Sequence, residues 1–219
     1  MHTALVIGAT GLVGRALVEQ LLADERFSEV RIFVRRDPGL QHPKLRVSIV
    51  DFESPGAWAT EVRGDVLFSA LGTTLKQAGS KEAQYRIDYT YQYETARTAA
   101  ANGVPRYVLV SAAMASERSR IFYSRMKGEL ERDVEKLAFQ KITFLQPGLL
   151  TGPRREERTG EKIGFALLRF LNRLGIARKQ RPIPGSTVAR AMIAAAFREG
   201  ARVQTFALLD VFRLAGEAA

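Results

Sequence analysis

The sequence predicts an α/β fold, a doubly wound parallel sheet, and three observations carry that expectation. Short apolar runs alternate with amphipathic stretches along the 219 residues. The first of these runs ends in a glycine-spaced loop, Gly8-Ala9-Thr10-Gly11-Leu12-Val13-Gly14. The composition, 46% hydrophobic and 26% charged, provides a sizeable core and does not suggest disorder.

Residues 3–7 form an apolar run closed by glycine, which reads as a strand buried on both faces. From Leu12 onward, the positions of Leu17, Val18, Leu21 and Leu22 fit a helix lying on a sheet. Strands are expected at 30–34 and 45–50, the latter stopping at Asp51, and at 65–70. A long helix over 81–102 follows, then a strand at 106–110, a helix over 122–138 and a strand at 141–145. Asn102-Gly103 with Pro105 supplies the stop signal before the fifth strand. Strands alternating with helices imply parallel neighbours joined by right-handed crossovers, a Rossmann-type arrangement.

After Pro147-Gly148 the rhythm changes. Residues 152–160 are polar and arginine-rich and are expected to form an exposed loop, followed by helices at about 162–174 and 186–198, a strand at 203–208 and a last helix at 209–215. The expectation is one domain over 1–219. It consists of a dinucleotide-binding core, 1–146, and a small helical and strand appendage on the substrate side, 147–219.

Composition excludes several kinds of chemistry. The chain has no cysteine, which removes disulfides, zinc–thiolate sites and cysteine nucleophiles. Its two histidines, His2 and His42, do not support a histidine triad or a multi-histidine metal site, so no metal is expected. Acid–base work falls to Tyr, Lys, Asp or Glu. No run of about 18 apolar residues occurs, and the N-terminal apolar stretch is too short for a signal peptide. A soluble, unprocessed, cytoplasmic protein without a membrane partner is expected. The net charge of +10 raises the question of an anionic partner. The basic residues are spread out, with local density at Arg31, Arg35 and Arg36, at Arg154, Arg155 and Arg158, and from Arg169 to Arg181. No nucleic-acid-binding motif accompanies them, so they read mainly as solvated surface and phosphate-binding positions, and nucleic acid is not expected as a partner.

Gly8, Gly11 and Gly14 sit between a buried strand and an amphipathic helix, the context that a phosphate-binding loop requires. A tight turn, close approach of backbone N–H groups and close helix–strand packing each need a glycine there, and the helix start adds partial positive charge. The plain alternative is a strand-to-helix turn with no ligand. Arg35 and Arg36 stand after the second strand, where an acidic residue would favour NAD(H) and arginine favours NADP(H); two surface arginines at a strand end is the other reading. Asp51 could accept from an adenine amino group or simply begin a turn.

Tyr123 and Lys127 are four residues apart at the start of a predicted helix and share one face. An ammonium beside a phenol stabilises the phenolate, so the pair could exchange a proton with a substrate oxygen while hydride moves to or from a nicotinamide. Ser111 ends the fifth strand, at the edge where ligands sit in such sheets. A packed tyrosine and a solvated lysine would give the same spacing. The joint pattern of glycine loop, Ser111, Tyr123 and Lys127 is what favours chemistry.

These residues resemble the short-chain dehydrogenase/reductase superfamily, and specifically its small atypical members of the kind represented by the mammalian Tat-interacting protein and its bacterial relatives. The resemblance extends through Leu71-Gly72-Thr73-Thr74, Lys127-Gly128-Glu129, Gln146-Pro147-Gly148 and Pro182-Ile183-Pro184, and spans nearly the whole chain. It implies that Gly8, Thr10, Gly11, Leu12 and Val13 surround a pyrophosphate and that Arg35 faces a 2′-phosphate. It puts Asp51 and Phe52 near adenine, Leu71, Gly72 and Thr73 along the second ribose, and Tyr123 and Lys127 at the reacting end. Pro147, Gly148 and Leu149 are expected to cover the nicotinamide. Two departures stand out: Asp88 where active relatives often carry asparagine, and Ala112 in place of a second serine.

The expected function is an NADP(H)-dependent oxidoreductase acting on a small carbonyl or alcohol. The two departures motivate the alternative, a non-catalytic NADP(H)-sensing regulatory or interaction protein. Arg154, Arg155 and Arg158 hint at an acidic substrate, though solvation explains them equally. Tyr85, Tyr89, Tyr91 and Tyr93 cannot all point one way, which leaves a homodimer contact open beside packing on the sheet.

Overall fold

The computed structural model describes residues 1–152 and 181–217. Its strands are β1 (His2–Ile7), β2 (Phe27–Val34), β3 (Leu45–Ile49), β4 (Val66–Ser69), β5 (Arg106–Val110), β6 (Lys141–Gln146), β7 (Leu150–Thr151), β8 (Ile183–Pro184) and β9 (Val203–Ala207). Seven of them form one sheet in the order β3-β2-β1-β4-β5-β6-β9, and every neighbouring pair is parallel. β7 and β8 pair separately. The fold class read from the sequence is the fold observed.

Alternation along the central strands builds two cores. In β1, Ala4 and Val6 face one layer and Leu5 and Ile7 the other. The first layer holds α1 (Leu12–Ala23), α6 (Gly185–Phe197) and α7 (Leu209–Leu214), which contribute Leu17, Val18, Leu21, Val188, Met192 and Phe212. The second holds α4 (Tyr91–Ala101) and α5 (Phe122–Glu135), with Ala96, Ala99, Leu130 and Val134 turned to the sheet. Each large apolar side chain withdrawn from water contributes about 1.5–3 kcal/mol, so the two layers hold the strands together from both faces. The described part of 147–219 does more than cap the sheet. β9 is its seventh strand, and α6 fills the space beside α1.

Three local differences from the sequence expectation have physical causes. The helix expected over 81–102 is α3 (Lys81–Tyr85), a π turn (Arg86–Thr90) and α4. Within the π turn the Asp88 carbonyl accepts from Gln92 Nε2 at 2.6 Å, a side chain standing in where the helix ladder widens. The expected 122–138 helix ends at Glu135, where Lys136 and Leu137 N–H groups turn back to Asp133 and Val134 carbonyls. A 3₁₀ turn (Pro55–Glu61) was not foreseen; it buries Trp58 against Phe33 and Phe52, with the indole N–H donated to the Asp51 carbonyl at 2.9 Å. A short α2 (Leu75–Ala78) opens on a Thr74 cap.

The four tyrosines from Tyr85 to Tyr93 divide as their spacing requires. Tyr85, Tyr89 and Tyr93 stack in a row, and the first two donate to Glu129 and Asp133 on α5 at 3.1 and 2.9 Å. Burial and the Glu129 carboxylate push the Tyr85 phenol up to about 12. Tyr91 instead stacks on Phe52 and donates to Glu53. Among the described residues no helix is long and apolar enough to cross a membrane.

Candidate active site

The glycine loop meets the end of β4 at the carboxyl edge of the sheet, where the strand order reverses between β1 and β4. Gly8 adopts φ +80°, and a side chain on it would run into the backbone of Ala70 and Leu71. A Cβ on Gly14 would overlap the Gly8 carbonyl. The Gly11 N–H closes the loop on Gly8 O at 3.0 Å, and α1 starts at Leu12 without a side-chain cap. The first-turn N–H groups of α1 are therefore unclaimed by a capping side chain beside the exposed Thr10 and Gly11. A bare-backbone cradle at a helix start fits a pyrophosphate. The Leu12 side chain packs at Gly185, where a Cβ would stand 2.9 Å from Leu12 Cγ.

Arg35 and Arg36 are exposed just beyond β2, and neither makes a hydrogen bond or ion pair with the described residues. Arg35 acts electrostatically on Tyr91, and Tyr91 stacks on Phe52 with ring centroids 5.5 Å apart, so the structure gathers Arg35 and Phe52 around one tyrosine. Asp51 begins a turn. Its oxygens accept from Glu53 N–H at 2.9 Å and from Ser54 Oγ at 3.2 Å.

Tyr123 is 40% exposed in the first turn of α5. One turn on, Lys127 is almost completely buried; its Nζ lies 6.0 Å from the Tyr123 ring centroid and 3.3 Å from Asp88 Oδ1. Asp88, also buried, accepts the Thr73 N–H on its other oxygen at 2.8 Å. Gln92 bonds the Asp88 carbonyl and accepts from Ser69 Oγ at 2.7 Å, which ties the π turn to the end of β4. Burial holds the Asp88 carboxyl above its usual range, while Lys127 and the Thr73 N–H pull it back down. The residue read in the sequence as a departure is thus the link between Lys127 and the Leu71-Gly72-Thr73 loop.

Ser111 donates its N–H to Leu145 O at 2.7 Å, and its hydroxyl is buried with no hydrogen-bond partner among the described residues. Pro147 O accepts the Ala113 N–H at 3.2 Å, so the Pro147-Gly148-Leu149 segment lies against the chain that follows Ser111. Leu149 is 40% exposed there. The sequence reading missed Glu131. It stands one turn beyond Lys127 and accepts from Gln146 Nε2 on both oxygens at 3.0 and 3.1 Å. Its only signal was the repeat of the four-residue spacing from Tyr123 to Lys127. Arg154, Arg155 and Arg158, the helix expected at 162–174 and the basic cluster from Arg169 to Lys179 lie outside the described residues. Among the described residues no group of three histidine or acidic side chains could hold a metal ion.

A family model described as NAD(P)H-binding matches residues 8–199. The protein fmp52, mitochondrial, of Aspergillus fumigatus is 36% identical over 186 residues, covering 82% of this chain and 77% of its own. Its namesake in Emericella nidulans is 34% identical over 170 residues, covering 74% and 73%. Among solved structures, a short-chain dehydrogenase/reductase superfamily protein from Agrobacterium tumefaciens with bound NAD superposes with a TM-score of 0.73 at 16% identity, covering 94% of this chain and 77% of that one. The Bordetella bronchiseptica enzyme WbmH in complex with NAD+ gives 0.71 at 16% identity, covering 94% and 75%. At that identity these two speak for the fold. The relatives' names also correct one expectation: they are called mitochondrial, which overturns the cytoplasmic assignment made from the absence of a signal peptide. With the glycine cradle and the Ser111, Tyr123 and Lys127 set at one sheet edge, the chain belongs to the NAD(P)H-binding family and is similar to the fmp52 proteins.

Proposed function

We propose that the chain is an NADP(H)-dependent oxidoreductase that reduces a carbonyl, or oxidises an alcohol, of a small molecule. The observation that carries this reading is an exposed Tyr123 one helical turn from a buried Lys127, with the unpartnered Ser111 hydroxyl at the end of the fifth strand. When bound, the nicotinamide supplies or accepts the hydride. Tyr123 gives or takes the proton at the substrate oxygen, Ser111 orients that oxygen, and Lys127 holds the ribose beside Tyr123. Gly8, Thr10, Gly11, Leu12, Val13 and Gly14 would hold the pyrophosphate, and Pro147, Gly148 and Leu149 would cover the ring. Tyr123→Phe is expected to bind NADPH as the wild type does and to lose about 10²–10⁴-fold in turnover. Equal turnover would remove Tyr123 from its role.

The preference for NADP(H) over NAD(H) is supported by Arg35 and Arg36, which carry no partner among the described residues. Arg35→Ala is expected to weaken NADPH about 10- to 100-fold, the loss of one charge-assisted contact, and to leave NADH unchanged in calorimetric titration. A parallel loss for both nucleotides would place Arg35 elsewhere. The Asp88–Lys127 pair favours a second reading, an NADP(H) sensor without turnover, because it ties up the lysine that a proton relay would use. Such a protein would bind NADPH, leave a broad carbonyl panel untouched, and change its affinity for a protein partner with the redox state of the nucleotide.

A further inference from the structure

The large apolar side chains exposed among the described residues include Leu75, Met114, Ile121 and Leu149. Leu75 follows the 71–74 loop, Met114 comes soon after Ser111, Ile121 shortly before Tyr123, and Leu149 just after Pro147-Gly148. Apolar side chains scattered singly over a surface need no explanation. These are not scattered: their segments follow β4, β5 and β6 or lead into α5, at the carboxyl edge of the sheet.

Met114 carries the argument. The Ala115 N–H is donated to Ala112 O at 3.1 Å, and Met114 is the third residue of the turn so closed, with φ +64°. That place in a type II turn needs a positive φ and ordinarily takes glycine, because a Cβ crowds the backbone there. Here it holds a long apolar side chain that is 68% exposed. Neither burial nor backbone preference accounts for a methionine in this position, and backbone strain that packing does not require gathers where a ligand is held. The turn is tied from both sides. Ala113 N–H is donated to Pro147 O at 3.2 Å and Ser116 N–H to Ser124 O at 3.0 Å. Met114 is thus suspended between the Pro147-Gly148-Leu149 segment and the turn of α5 that holds Tyr123. Ser111, at the start of the same segment, is buried with its hydroxyl unpartnered among the described residues.

We propose that Met114, with Ile121 and Leu149, forms the wall that receives the non-reacting part of the substrate, and that this part is apolar. The substrate is then an alkyl or aryl carbonyl compound, or its alcohol, and not a phosphorylated compound or a hydroxy acid. The proposal rests on the oxidoreductase reading for the place of the reacting oxygen, at Ser111 and Tyr123. An uncharged tail leaving that oxygen is withdrawn from water against the three side chains, whereas an anionic tail would lose hydration against them. Charged residues that follow Met114 serve another face: Glu117 bridges Arg132 at 3.0 Å, and Glu117 and Arg118 line a cleft with Glu135, Phe144 and Thr205.

The test is a calorimetric titration of the NADPH-loaded chain, on which alcohols bind without reacting, with primary alcohols from propanol to octanol. Affinity is expected to rise about fourfold per added methylene, the gain from burying one CH₂ group. Met114→Gly suits the positive φ and removes the side chain, so it should melt as the wild type does and lose most of that dependence on length. Leu149→Ser should flatten it too, and serves alone if Met114→Gly does not fold. Affinity indifferent to chain length, an unchanged dependence in the variants, or tighter binding of the hydroxy acid of octanol's length overturns the proposal. A chain with the expected dependence that reduces no carbonyl keeps the apolar wall and loses the oxidoreductase reading; one that turns over only hydroxy acids does the reverse. A chain that does not bind NADPH also loses that reading, and the same alcohols titrated into the free chain then decide the wall.

Discussion

Lys127→Met is expected to lose about 3–5 kcal/mol of folding stability, seen as a lower urea midpoint, because it strands a buried charge. Lys127 and Asp88 face each other at 3.3 Å with both side chains almost completely out of solvent. Burial raises the Asp88 carboxyl and Lys127 is the largest influence opposing it, so removing the ammonium raises it further. A carboxyl whose folded pKa stands above its unfolded value contributes stability that is present below the unfolded pKa and lost as pH rises through the folded one. The deficit of Lys127→Met should accordingly be smaller in acid and grow toward neutral pH. Adding Asp88→Asn removes the stranded charge and keeps an oxygen for the Thr73 N–H, so the double variant should recover most of the loss. A double variant no more stable than Lys127→Met would show that the pair is not the source.

Gly14→Ala is expected to abolish nucleotide binding and to cost at least about 1–3 kcal/mol of stability. Its Cβ would overlap the Gly8 carbonyl and stand 3.0 Å from Ala9 Cα, so relief must come from backbone and not from a side-chain rotation. That movement would displace the carbonyl that accepts the Gly11 N–H and would open the cradle. Thermal unfolding reads the stability change, and calorimetric titration with NADPH reads the binding. A Gly14→Ala chain that binds like the wild type would remove the loop from the nucleotide site.

Local spacing made part of this molecule legible in the sequence. The glycines at 8, 11 and 14, the strand ending at Ser111 and the four-residue step from Tyr123 to Lys127 are contacts within one turn or one strand end, and the structure brings them to one edge. The parallel sheet was legible for the same reason, since each βα unit carries its own periodicity. Contacts between distant segments were not. On a helical wheel Asp88 and Glu131 look like solvated carboxylates, and their meaning comes from Lys127 on another helix and Gln146 on a strand. The Trp58 turn was hidden likewise, because seven residues opening on Pro55 have no periodicity of their own until Phe33 and Phe52 bury the indole. Cellular location failed for a different reason: charge and hydropathy describe how a folded chain meets solvent, not where it is delivered.

The widened turn between Arg86 and Thr90 makes length, more than residue identity, the tight constraint on its helix. Asp88 and Tyr89 lie inside it, against Lys127 and Asp133 of α5, while Tyr85 just before it reaches Glu129 of the same helix, so the widened turn sets the phase in which all three meet α5. Removing a single residue there would close the widened turn and rotate the residues before it relative to those after it. When diverged chains of this family are aligned, a gap in this helix therefore belongs inside those five residues, and a gap placed a turn away would match acids and tyrosines that never occupy the same face.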